Sequence, residues 1–135
     1  MADANDLKID TMRSYLGRAR GLGSSKSGFH HWWIQRLTSI ALVPLTLWFV
    51  FSLVSFSGAP YAEVRAWAAS PVNATLLLAV IVTTFHHMHL GVQTVAEDYI
   101  HTDAIRLTVV LGVKAAALLL GLAAIMAVLK IAIGG

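Results

Sequence analysis

Three apolar runs, each long enough to cross a bilayer, leave this chain few folds to choose from. They are Leu37 to about Phe56, Val72 to about Ala96, and Leu107 to about Leu129. A helix rises ~1.5 Å per residue, so about 20 residues span the ~30 Å hydrocarbon layer. In lipid every backbone N–H and C=O has to be satisfied inside the protein, which a helix does within its own segment and an open strand does not. The expectation is an all-α membrane protein with three transmembrane helices, at about 33–56, 72–96 and 107–130. Composition agrees: 57% of the 135 residues are hydrophobic and 13% are charged, against about a quarter charged in soluble domains.

The basic residues fix the expected orientation. Lys8, Arg13, Arg18, Arg20 and Lys26 precede the first run and Arg36 stands at its mouth, whereas the first loop has only Arg65 and the C-terminus only Lys130. Positive flanks stay on the cytoplasmic side. The N-terminus is therefore expected inside, the loop from Glu97 to Arg106 on the same side, and the C-terminus outside, in an inner (cytoplasmic) membrane. The net charge of +3 does not point to nucleic acid, because the basic residues are not clustered with exposed aromatics. Residues 1–28 read as a solvated N-terminal arm, Gly/Ser-rich from Gly21 to Gly28, in which Leu7, Met12, Tyr15 and Leu16 can form a short amphipathic turn. The arm lacks the apolar core of a signal peptide, so its retention is expected. Residues 29–135 read as the anchor domain. With no cysteine, thiolate zinc, iron-sulfur ligation and disulfides are excluded within the chain, and any metal needs histidine.

Several features decorate the runs. Trp32 and Trp33 in FHHWWIQR read as an interfacial belt, as do Tyr61 and Trp67 in the connection from Ser57 to Pro71, which reads as a loop with one short helical turn. Pro44 is expected to bend the first helix. In the third run Gly112/Ala116 and Ala117/Gly121 are small-residue pairs four apart that permit close packing. Lys114, the single charge within that run, either snorkels or faces a partner. Three helices make a thin bundle, so a partner within the membrane is expected.

Chemistry is concentrated in Thr83 to Tyr99, TTFHHMHLGVQTVAEDY. Ionisable groups at membrane depth usually line a ligand, a cavity or a pathway. Counting i, i+4, i+7 and i+11 from His87 gives one face with His87, Gly91, Thr94 and Asp98. His87 can serve as an axial haem ligand, with Gly91 leaving room beside it for a flat macrocycle, or as a hydrogen-bonding group between helices. His86 and His89 lie about 100° and 200° round the helix, so the three cannot bind one group; they read as hydrogen-bonding groups, with His89 also able to orient a propionate. Asp98 and Tyr99, roughly 16 to 18 Å further along the axis, reach the inner interface. There a phenol can donate to the carbonyl of a lipid-borne head group and a carboxylate can relay protons, or both simply belong to the interfacial belt.

Two segments, HHWWIQRLTSIAL at residues 30–42 and HMHLGVQTVAEDYI at 87–100, carry a resemblance to a known family. The chain resembles the small hydrophobic membrane anchor subunit of succinate dehydrogenase, respiratory complex II; the His-Gly-Asp-Tyr spacing is the specific part. The resemblance implies a haem b held between two anchor subunits with His87 as this chain's iron ligand, favoured over His89 by Gly91 and by the distance to Asp98 and Tyr99. It further implies ubiquinone as substrate at a site near the inner surface, with Tyr99 on a quinone carbonyl, Asp98 close by, and Arg36 at the haem propionates or the quinone-site edge. The implied partners are a second membrane anchor subunit (the cytochrome b subunit), an iron-sulfur subunit, a flavoprotein subunit and the lipid membrane, with no catalysis by this chain alone. A fumarate reductase anchor fits the same layout. A different reading is a small proton-conducting or transport subunit, with His86, His87, His89 and Lys114 as a relay.

Overall fold

The computed structural model describes residues 15–16 and 28–134. Tyr15 and Leu16 are helical and exposed; the rest of the expected arm before Gly28, including Leu7, Met12 and its basic residues, lies outside the described residues. By contacts the chain divides into Met1–His30 and His31–Gly135, and the packing below belongs to the second unit.

Three long helices carry the apolar runs: α1 (Gly28–Ser55), α3 (Pro71–Tyr99) and α4 (Asp103–Ile133), with a short α2 (Tyr61–Ala69) between the first two. All three are long and apolar enough to cross a membrane. Each extends past its apolar run into polar residues, because a helix goes on satisfying its own backbone until a cap or a breaker stops it. α1 runs unbroken through Pro44. Its hydroxyls turn back on carbonyls one turn earlier, Ser39 to Gln35, Thr46 to Leu42 and Ser52 to Trp48, so none of them meets lipid unsatisfied.

The connection after α1 is more regular than a loop with one helical turn. Gly58, at φ 82°, takes the left-handed conformation that lets the chain reverse, and Pro60 then starts the nine-residue α2. Trp67 does not sit in an interfacial belt alone: it stacks on Trp48 at 5.7 Å and meets Phe56 at 5.2 Å, which fastens α2 to α1. Tyr61 remains exposed. Ser70 is the whole linker between α2 and α3. Its side chain accepts from the Asn73 N–H and Pro71 occupies the first turn, a start signal that needs no further residues.

Ile100 to Thr102 joins α3 to α4 as a tight antiparallel hairpin. Here the backbones approach closely because the residues between them are small: Ala96 and Ala117 are 3% and 4% exposed, and Gly121 is buried. A Cβ added at Gly121 would touch the Phe85 ring at 3.4 Å. Of the two small-residue pairs, then, Ala117/Gly121 packs inside the chain, while Gly112 has nothing within 4 Å of such a Cβ and Ala116 is exposed. No residue of α1 is buried. The described bundle leaves most of its apolar side chains outward, as a protein solvated by lipid or by other chains does.

Candidate functional site

α1 and α3 meet through polar side chains. On α1 the positions i, i+4 and i+7 are His31, Gln35 and Thr38; on α3 the same spacing gives His87, Gly91 and Thr94. The helices run antiparallel, and the two faces meet at Thr38 with His87 and at Gln35 with Gly91 and Thr94.

At the deep end the Thr38 hydroxyl lies 2.9 Å from His87 Nδ1. The same hydroxyl is 2.9 Å from the Ile34 carbonyl and 3.0 Å from that of Gln35. A hydroxyl has one proton to give. When that proton goes to a carbonyl, the Thr38 oxygen accepts from His87, and in that tautomer Nδ1 carries the proton and Nε2 the lone pair. A tautomer fixed in this way by a hydrogen bond to the other nitrogen is what an imidazole ligand to a metal needs.

One turn towards the N-terminal end of α1, the gap at Gly91 is occupied. The Gln35 amide nitrogen stands 3.7 Å from where a Cβ would be, and the Thr94 hydroxyl lies 3.4 Å from Gln35 Oε1 while donating to the Leu90 carbonyl at 3.1 Å. The glycine thus admits a side chain from α1, and a flat group beside His87 would require Gln35 to rotate away. One turn before Gln35 on the same face of α1, the Nε2 of His31 is buried and has no hydrogen-bond partner among the described residues, a feature the sequence reasoning did not single out.

His86 and His89 turn elsewhere. Their rings meet edge to face at 4.9 Å, with His89 Nδ1 3.4 Å from the Phe85 carbonyl. Among the described residues, no hydrogen bond joins His87 to either of them. Among the described residues, no three histidines or carboxylates converge on a point that could hold an ion.

The remaining site residues lie at one end of the bundle. Arg36 sits over the Trp32 ring at 4.8 Å, beside a small recess shared with Gln35 and Ser39. Asp98 and Tyr99 end α3, both exposed, Tyr99 by 78%. Neither makes a hydrogen bond or an ion pair with a described residue. The fold brings Arg36, Asp98 and Tyr99 to the same end but does not bring them into contact, and it leaves His87 deeper on the same seam.

Residues 10–121 match the family described as Succinate dehydrogenase/Fumarate reductase transmembrane subunit. The chain belongs to that family. It is 35% identical over 116 residues, 86% of this chain and 93% of the relative, to the succinate dehydrogenase hydrophobic membrane anchor subunit of Rickettsia bellii. It is 31% identical to that of Rickettsia conorii, covering 76% of this chain and 82% of the relative. With the succinate dehydrogenase membrane anchor subunit of Reclinomonas americana it shares 25% identity over 70% of this chain and 81% of the relative. No solved structure matches the chain. Family membership and three apolar helices make it a multi-pass anchor of a membrane complex.

Proposed function

We propose that this chain, together with a second anchor subunit, holds haem b through His87 and forms part of the ubiquinone-reduction site of succinate dehydrogenase. The observation that carries the reading is the Thr38–His87 hydrogen bond, which leaves Nε2 as an unprotonated donor in an apolar bundle. That donor suits haem iron, which His87 would hold together with a residue of the partner anchor. When bound, the haem supplies a one-electron reservoir beside the quinone site. Gln35 would swing from Gly91 to admit it, and Arg36, already held over Trp32, would pair with a propionate or with the edge of the quinone site.

Electrons for the quinone come from succinate by way of the flavoprotein and iron-sulfur subunits, outside this chain. Two electrons and two protons convert a quinone to a quinol. The residues here serve the protons: the Tyr99 phenol donates a hydrogen bond to a quinone carbonyl, and Asp98, at the same water-facing end, passes protons to that oxygen. The exposure of both fits a site whose other wall belongs to another subunit. The basic flanks support an orientation with this end of the bundle, the loop from Glu97 to Arg106 and the N-terminus on the cytoplasmic side of the inner membrane and the C-terminus outside.

The deciding experiment is a reduced-minus-oxidised spectrum of the purified complex carrying His87→Ala, beside one carrying His89→Ala. Loss of the b-type absorbance in the first and its retention in the second is expected. The reverse pattern would move the ligand to His89.

A further inference from the structure

Lys114 stands away from the polar seam. It projects from α4 in register with Leu107 and Leu118, seven residues after the one and four before the other. Leu107 borders a recess near Gln93, Glu97 and Arg106, and Leu118 borders an open groove with Val82, Phe85, His86 and Leu122. Lys114 thus lies between two recesses of the α3/α4 face. The edge-to-face pair His86 and His89 lies along the same helix pair.

Among the described residues, no acid answers Lys114. The described carboxylates, Glu63, Glu97, Asp98 and Asp103, all lie near helix ends. Glu97 is engaged by Gln93 at 2.7 Å, and the ion pair among the described residues joins Asp103 to Arg106. Lys114 is exposed and makes no hydrogen bond or ion pair with a described residue. An ammonium left unpaired at this depth costs several kcal/mol in hydrocarbon.

Depth selects the answering group. Lys114 lies roughly 16 Å along α4 from Asp103 at the interface, and a lysine stem extends only about 6 Å by snorkelling, which leaves a lipid phosphate short of contact. A second copy of this chain would bring its acids to helix ends, not to this level. The groove, at about 200 Å³, is smaller than the ~300 Å³ at which small-molecule sites begin, and its size suits side chains of a packed helix.

We propose that this face of α3 and α4 docks a transmembrane helix of another chain that presents a carboxylate to the Lys114 ammonium. The proposal rests on reading the chain as one subunit of a membrane complex.

The test is zero-length coupling in the purified complex. A membrane-permeant carbodiimide joins an amine to a carboxylate only in direct contact, and peptide mass spectrometry identifies the pair. The expected product links Lys114 to an Asp or Glu in a membrane-spanning segment of another chain. Lys114→Arg, which keeps the charge but does not couple, should lose the product and leave the complex intact. Lys114→Met should release this chain from the complex in detergent at least ten-fold faster. Coupling to Glu97 of the same chain, coupling to the carboxylate of a serine phospholipid, or an uncoupled Lys114 with a fully stable Lys114→Met complex would each overturn the proposal. In those three outcomes the other chains still copurify; their absence would overturn the subunit reading as well.

Discussion

α3 is held on its two sides by different physics. Against α4 it offers Phe85 to Gly121, with Ala96 and Ala117 also buried, and the backbones close in until no polar group is needed. Against α1 it offers His87, Gly91 and Thr94 to Thr38 and Gln35, and the helices stand further apart, bridged by side chains. Lipid tails are as apolar as leucine, so neither contact is driven by the hydrophobic effect; one uses van der Waals packing and the other interhelical hydrogen bonds. The close seam is bridged by no side-chain hydrogen bond among the described residues, and its one groove is lined almost wholly by apolar side chains. The wide seam is where a donor atom such as His87 Nε2 can meet a group that is not protein.

The largest effect expected from breaking this contrast is at His87. Replacement by alanine should remove the b-type absorbance altogether, while the α3/α4 seam and assembly by gel filtration remain intact. Next is Tyr99→Phe, expected to lower ubiquinone reduction by about 100-fold, the lower range for loss of a positioned proton donor. Succinate oxidation by an artificial acceptor should be unchanged in that variant; an equal fall in both assays would remove Tyr99 from the quinone site.

Smaller effects probe the packing itself. Gly121→Leu drives a side chain into the Phe85 ring and should destabilise the chain by about 1–3 kcal/mol, as overpacking does, whereas Gly112→Leu has open space in the isolated chain. Thermal unfolding in detergent would separate them, and equal losses would mean that Gly112 is also packed. The smallest expected effect is Thr38→Val, about 0.6 kcal/mol for one interhelical hydrogen bond. Its signature is spectroscopic, because losing the acceptor for Nδ1–H should shift the haem midpoint potential, and Thr38→Ser should restore it. A potential unmoved by Thr38→Val would show that Thr38 does not orient His87.

Much of this was legible in the order of residues. Ser70 followed by Pro71 marks the start of α3 through local capping chemistry alone, and the 100° step of a helix is enough to separate His87 from His86 and His89. Other features were not. The same small-residue pattern occurs twice in α4, and nothing local says that Ala117/Gly121 faces Phe85 while Gly112/Ala116 faces outward. Trp67 looks like any interfacial aromatic until Trp48 and Phe56 are found around it. The burial of His31 Nε2 was hidden because burial depends on what packs around α1, not on α1 alone.

The sequence by itself determined the three long helices, the likeness to the anchor subunits and the one face of α3 that carries His87, Gly91 and Thr94, since length, apolarity and helical period are properties of a single segment. Only the tertiary structure decided what that face meets. It placed Thr38 on Nδ1 and filled the Gly91 gap with Gln35, because hydrogen bonds between helices depend on the register in which two segments dock, and no single segment encodes that register.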